Sequence, residues 1–264
     1  MLYQHYINNA EVDRRVMFGG ENVTLGKILK DNQEYFNKLP SSLLSVGSDA
    51  KTVKSEKIEI KTGIMYLAQA DMLTKKTLCA FAELAGCKND CLIHAGRLGM
   101  KHATRAIIRR TLLYLYQREM FDSMLKNEIM KLSFEHGEKL AIRLNGTSDI
   151  DFEYIIKEFK NVQFYDYTKI PTRKVEQHKN YHLTWSYSEA NDKYAKMFDK
   201  VPNNKAVVFK NKILPSMFKG LKVIDGDTHD MRFLDEPNSV VGLKAKGKAR
   251  QDTSGFVINV IQLA

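Results

Sequence analysis

The chain has 264 residues, 44% hydrophobic and 27% charged, which excludes wholesale disorder and allows one sizeable core. Its 41 Lys and Arg against 31 Asp and Glu leave a net charge of +10, a field that favours anionic partners, small molecules or nucleic acid, or serves solubility alone. No apolar run is as long as a membrane span and the N-terminus lacks a signal peptide's apolar block. No membrane partner is therefore expected, and the reading is a cytoplasmic protein with reduced cysteines.

Residues 1–50 read as an N-terminal arm or cap. A short helical pattern at Leu25, Ile28, Leu29, Tyr35 and Phe36 is broken by Gly19–Gly20 and Pro40. Residues 51–264 read as one domain. Ile58–Ala70 predicts a first strand, which enters the stretch Leu78–Arg97. That stretch holds all three cysteines, Cys79, Cys87 and Cys91, spaced C-x7-C-x3-C. Cys87 and Cys91 are four apart and would share a face on a helical turn, and Cys79 would return to them across a loop closed by Gly86. Three converging thiolates suit an iron–sulfur cluster with one open iron, or a zinc with His94 as its fourth ligand. The other reading is three small buried hydrophobes packed with Leu78, Phe81, Leu84 and Leu92.

Helical stripes follow over Gly99–Glu119 and from Phe121 to a stop at His136–Gly137. Strands are predicted at Lys139–Gly146, Val162–Lys169, Tyr181–Ser188, Lys205–Phe209, Leu221–Asp227, Val240–Gly247 and the C-terminus. Short helices are predicted at Asp151–Lys160 and Glu189–Phe198. Eight extended runs alternating with helices point to an α/β fold with a largely parallel sheet. No Gly-rich dinucleotide turn and no P-loop follow any strand. The expected architecture is an irregular or incomplete (β/α) barrel behind the N-terminal arm.

Nearly every predicted strand ends in hydrogen-bonding groups: Arg143, Asn145, Ser148 and Asp149; Tyr167 and Lys169; Trp185 and Ser186; Asp225, Asp227, Asp230 and Arg232; Lys244 and Lys246. In a parallel barrel such ends gather over one mouth, together with the cysteine loop. Each has a plainer alternative. The Gly-Thr-Ser-Asp turn suits a helix cap. The three aspartates either bind a divalent cation or form a solvated turn with Asp230 paired to Arg232. Trp185 stacks a base or simply packs. The densest basic stretches are Lys51–Lys61, Arg105–Arg110 and Lys244–Arg250.

The blocks CAFAELAGCKNDCLIHAGR, AIRLNGTSDIDFE, VQFYDYTK, NYHLTWSYSEAN, VIDGDTHDMRF and VVGLKAKGKA, in this order, resemble a family of bacteriophage proteins named after gene product eighty-eight of a mycobacterial phage. The resemblance runs from about Lys51 to Phe256 and implies a phage protein acting in the infected host cell. It supplies no biochemical activity. Clustered cysteines with polar strand ends look like the plan of radical S-adenosylmethionine enzymes, an analogy at fold level, although the spacing differs from their usual C-x3-C-x2-C.

On this reading Cys79, Cys87 and Cys91 ligate an iron–sulfur cluster used with S-adenosylmethionine, and Asp149, Lys169 and Asp227 are the catalytic candidates. Arg143, Asn145, Ser148, Tyr167, Trp185, Ser186, Arg232, Lys244 and Lys246 bind cofactor or an anionic substrate, a nucleotide or nucleic acid. The alternative is a non-catalytic module that binds nucleic acid or a host protein, with a structural zinc or packed cysteines. A third option is a hydrolase using Asp225, Asp227 and Asp230 with a divalent metal. The sequence sets no oligomeric state.

Overall fold

The computed structural model describes residues 1–47, 59–89, 91, 96–173 and 178–260. The fold is mixed α/β around a ten-stranded, mostly parallel sheet. Strands β4 (Lys61–Met65), β5 (Leu140–Arg143), β6 (Gln163–Thr168), β7 (Tyr181–Ser186) and β8 (Lys205–Phe209) lie side by side in chain order, all parallel. Beyond β8 come β11 (Val240–Lys244) and then β10 (Leu221–Asp225), still parallel. Antiparallel strands finish both edges: β3 (Leu44–Val46) on β4, and β9 (Met217–Phe218) on β10. Among the described residues these two edges do not pair with each other, so the sheet runs as an open path.

The sheet forks along β8. Its first residues, Lys205 and Ala206, pair with β7, while Val208 and Phe209 pair with β12 (Val257–Ile258). As β11 occupies the other edge of β8 throughout, β7 and β12 share one edge and part at its middle.

Two long helices bridge β4 and β5. The stripe at Ile107, Ile108, Leu112 and Leu113 buries one side of α4 (Lys101–Tyr116), and Phe121, Leu125 and Ile129 bury one side of α5 (Arg118–His136). Helix α5 ends at Gly137, whose φ of 54° belongs to the left-handed region that glycine enters freely. The helices and Leu140, Ile142, Leu144, Phe164 and Leu183 form one core. Short helices α6 (Glu153–Ile156) and α7 (Asp192–Ala195) follow β5 and β7.

The N-terminal arm is a folded part of this structure. It holds α1 (Leu2–Asn9), the hairpin of β1 (Arg15–Phe18) and β2 (Glu21–Thr24), α2 (Leu25–Asp31) and α3 (Gln33–Phe36). Tyr6, Val16, Leu25, Ile28, Leu29 and Phe36 form a second core with Ile64, Ile107, Ile108 and Leu112. The basic stretch Arg105–Arg110, one of the densest in the sequence, grips the arm. Arg109 lies 3.8 Å from the Tyr35 ring centroid and donates to the Tyr35 carbonyl at 3.1 Å. Arg105 donates to Asn32 Oδ1 at 2.8 Å and Arg110 to the Ser42 carbonyl at 3.1 Å.

Candidate functional site

The cysteine loop follows β4 and folds back over the ends of β5 and β6. Leu78 N–H donates to the Ala70 carbonyl (2.8 Å), and Asp149 N–H donates to the Leu78 carbonyl (2.9 Å). The Cys79 sulfur accepts from Ala70 N–H at 3.3 Å and faces the Thr147 carbonyl at 3.7 Å. The loop also reaches the fork. Ser188 Oγ, after β7, donates to the Ala85 carbonyl at 2.8 Å, and Glu189 N–H donates to Gly255, before β12, at 2.8 Å. Gly86 sits at this junction with φ 69°, and a side-chain Cβ there would lie 2.6 Å from that of Ala190 and 2.8 Å from Ser254 Oγ.

Lys169 stands one residue past β6. Burial opposes its charge, but Cys87, Asp149, Cys79 and Cys91 together favour the ammonium and raise its pKa above that of an ordinary lysine. Burial likewise pushes the Cys79 thiol up, against the Ala70 N–H and the Lys169 charge, with Asp149 and Cys87 adding to the rise. The three cysteines therefore share the electrostatic neighbourhood of one ammonium. None is in a disulfide; Cys79 and Cys87 are buried and Cys91 is half-buried. Among the described residues no three His, Cys, Asp or Glu side chains are drawn together as a metal-ligand set. The expected fourth ligand, His94, lies outside the described residues.

Asp149 holds this corner together. Its carboxylate accepts from Lys169 N–H at 2.7 Å, from Thr168 Oγ at 3.3 Å and from Arg173 Nη1 at 2.8 Å. It is 6% exposed, so its main work is to fix the end of β5 against the end of β6. Asn145 and Ser148 are likewise engaged within the turn. Asn145 N–H and Nδ2 donate to Asp166, while Asn145 Oδ1 accepts from Ser148 Oγ and Ile150 N–H. Arg173, which sequence reasoning missed, is the third donor to Asp149; nothing in its local pattern marks it as a partner.

Arg143 belongs to a different cluster. Its Nη1 donates to Asp230 Oδ2 at 2.9 Å, and its guanidinium carbon lies 4.6 Å from the Tyr167 ring centroid. Tyr165 OH also donates to Asp230, at 3.4 Å. Arg232, fully buried, donates to the His229 carbonyl and lies 3.2 Å from Asp235. Successive side chains of a strand point to opposite faces. Thr168, which bonds Asp149, and Tyr167, which stacks on Arg143, therefore flank opposite sides of β6. The expectation of a single mouth does not describe this arrangement: the polar ends divide between the two faces.

The acidic turn after β10 divides as well. Asp230 pairs with Arg143, not with Arg232 as the sequence alternative had it. Asp227 accepts from Lys246 Nζ at 2.6 Å and from Lys244 N–H at 3.3 Å, and Lys244 Nζ lies 3.9 Å from Asp225. Trp185 is fully buried against Tyr187 and Tyr194, which is the packing alternative. The Ser186 carbonyl accepts from Tyr194 OH at 2.6 Å.

No helix among the described residues is long and apolar enough to cross a membrane. Comparison with known proteins found no matching curated protein and no matching solved structure. A family model described as gene product 88 matches residues 42–260. The thiol loop, Asp149, Lys169, the Arg143–Asp230 pair and the acidic turn all fall inside that span, whereas most of the arm precedes it. The chain belongs to the phage gene product 88 family.

Proposed function

We propose that the chain is an enzyme whose Cys79, Cys87 and Cys91 hold an iron–sulfur centre at the C-terminal end of an incomplete (β/α) barrel, acting with S-adenosylmethionine on an anionic substrate. The observation that carries this reading is the place of the cysteine loop at the strand ends, where the Cys79 sulfur accepts from Ala70 N–H and the Leu78 carbonyl accepts from Asp149 N–H, with the three thiols favouring the Lys169 charge. The chemistry of three thiols suits such a group, and the half-buried Lys169 ammonium would offset the charge of three thiolates, but among the described residues they are not drawn together as a ligand set, so binding must bring them together. When bound, a cluster with an open iron supplies the electron that cleaves S-adenosylmethionine. Lys169 holds positive charge against the thiolates, and Asp149 positions Lys169 and Arg173. Arg143, Tyr167 and Arg232 form the charged layer on the other face of β6, and Asp227 orients Lys246.

A second reading has its own support. Cys79 and Cys87 lie in an apolar cluster with Trp185, Tyr187 and Tyr194, and many polar strand ends are engaged in internal pairs. A non-catalytic binding protein with a structural zinc or packed thiols accounts for that. Anaerobic reconstitution with iron and sulfide separates the two. The enzyme reading expects about four irons per chain and a broad visible absorption that is lost in Cys87→Ser. Stoichiometric zinc in a colourless protein selects the second reading, and a protein that takes up neither metal sinks both metal-centre versions.

A further inference from the structure

A cleft of about 690 Å³ opens between the β1–β2 turn, the Gly96–Lys101 segment and the turn carrying Lys248. That volume is within the roughly 300–1,000 Å³ of small-molecule sites. We propose that this cleft binds a nucleoside phosphate, either a free nucleotide or one unit of a single nucleic-acid strand.

Among the described residues the lining has four glycines (Gly19, Gly20, Gly96 and Gly99), two lysines, two methionines and no acidic residue. Side chains at Gly20 or Gly96 would meet nothing within 4 Å among the described residues, so their backbone is open there. Gly19 serves differently. A Cβ there would lie 2.3 Å from the Lys101 side chain, so the glycine lets the Lys101 stem lie across the turn. Lys101 Nζ is 3.9 Å from Glu21, a pair whose side chains are 58% and 71% exposed. Water screens such a pair, which leaves the ammonium available to a phosphate. Among the described residues no ion pair holds Lys248. Met17 and Met100 are both at least a third exposed. They offer soft, adaptable apolar surface for a base beside cations that suit its phosphate.

Three of the eight described residues that line this cleft, Met17, Gly19 and Gly20, precede residue 42, where the family match begins, and none of the eight is a cysteine. The inference is therefore independent of the metal-centre reading, and it is tested on metal-free protein in chelator. Fluorescence anisotropy with a short labelled single-stranded DNA is the probe, competed with adenosine monophosphate. The full chain is expected to bind, more weakly as salt rises, and the paired change Lys101→Ala and Lys248→Ala to weaken binding about tenfold or more. Met100→Glu, which leaves both lysines in place, is expected to do the same. A control pair far from the cleft, Lys157→Ala with Lys160→Ala, is expected to bind as the unaltered chain does. Displacement by adenosine monophosphate identifies free nucleotide as the source, and cleft-dependent binding without displacement identifies the strand. No binding, or equal losses in the cleft and control pairs, overturns the proposal.

Discussion

Asp166 carries the clearest pH dependence of any single residue. It is 1% exposed and accepts from Asn145 N–H, Asn145 Nδ2 and Tyr181 OH. Burial raises its pKa to about 6, although Arg143 and these donors pull it down. An unfolded aspartate titrates near about 3.9. Between these values the native state binds more protons than the unfolded chain, so this group's contribution is full below about pH 4 and is lost by about pH 6. The loss amounts to roughly 3 kcal/mol. Asp235, raised to about 6 by burial against the opposing Arg232 charge, slopes in the same direction. Denaturant midpoints measured across this window should fall for the unaltered chain and fall less steeply for Asp166→Asn. Identical slopes would remove Asp166 from the account. At this scale the sequence was partly legible. Lys169 and Asp149 stood out as polar groups ending strands, and they do meet. Arg173 did not, because its partner lies across a tertiary contact that local pattern does not encode. Arg143 and Asp149 looked alike as strand-end groups, and only the alternation of β6 separates them onto two faces.

The cysteine loop is the element whose anchoring matters most to the proposed function. It is fixed at its start by Ala70 and Asp149 and near Gly86 by the fork between β7 and β12. Gly86→Ala would place a methyl group 2.6 Å from Ala190 Cβ at a positive φ. The conformation alone costs about 1–2 kcal/mol, and the overlap adds strain. The variant should unfold at lower denaturant and load less iron than the unaltered chain under the same reconstitution. Unchanged stability and loading would mean that the junction does not hold the loop. Gly86 was readable as the closure of a turn, and the C-terminus as a strand, but the fork was not, because the edge of β8 that β12 joins is set by long-range pairing. The helices α4 and α5 were legible for the opposite reason: their apolar stripes run for several turns. The β1–β2 hairpin was missed. Its glycine pair was read as a break, and its four-residue strands carry only one fully buried side chain, Val16.

At the scale of the whole molecule the arm is the test of how the cores depend on each other. The parallel succession of β4 to β8 followed from alternating strand and helix patterns. The insertion of β11 between β8 and β10 did not, since strand order is set by long-range pairing that composition leaves open. The sequence reads residues 1–50 as an N-terminal arm or cap, and its six buried side chains from Tyr6 to Phe36 complete the core around Ile107, Ile108 and Leu112. Each such side chain contributes about 1.5–3 kcal/mol, together comparable to the roughly 5–15 kcal/mol that holds a whole domain. Ordering entropy of the arm offsets part of this, but the apolar face of α4 left behind gains nothing in return. A chain starting at Ser42 should therefore lose its cooperative thermal transition and expose surface that binds a hydrophobic dye. Arg109→Ala, which removes the stack on Tyr35 and the hydrogen bonds to the Tyr35 and Lys38 carbonyls, should cost about 1–2 kcal/mol in the full chain. If the truncated chain melted cooperatively at an unchanged temperature, the α4 face would have another cover and the two cores would be independent.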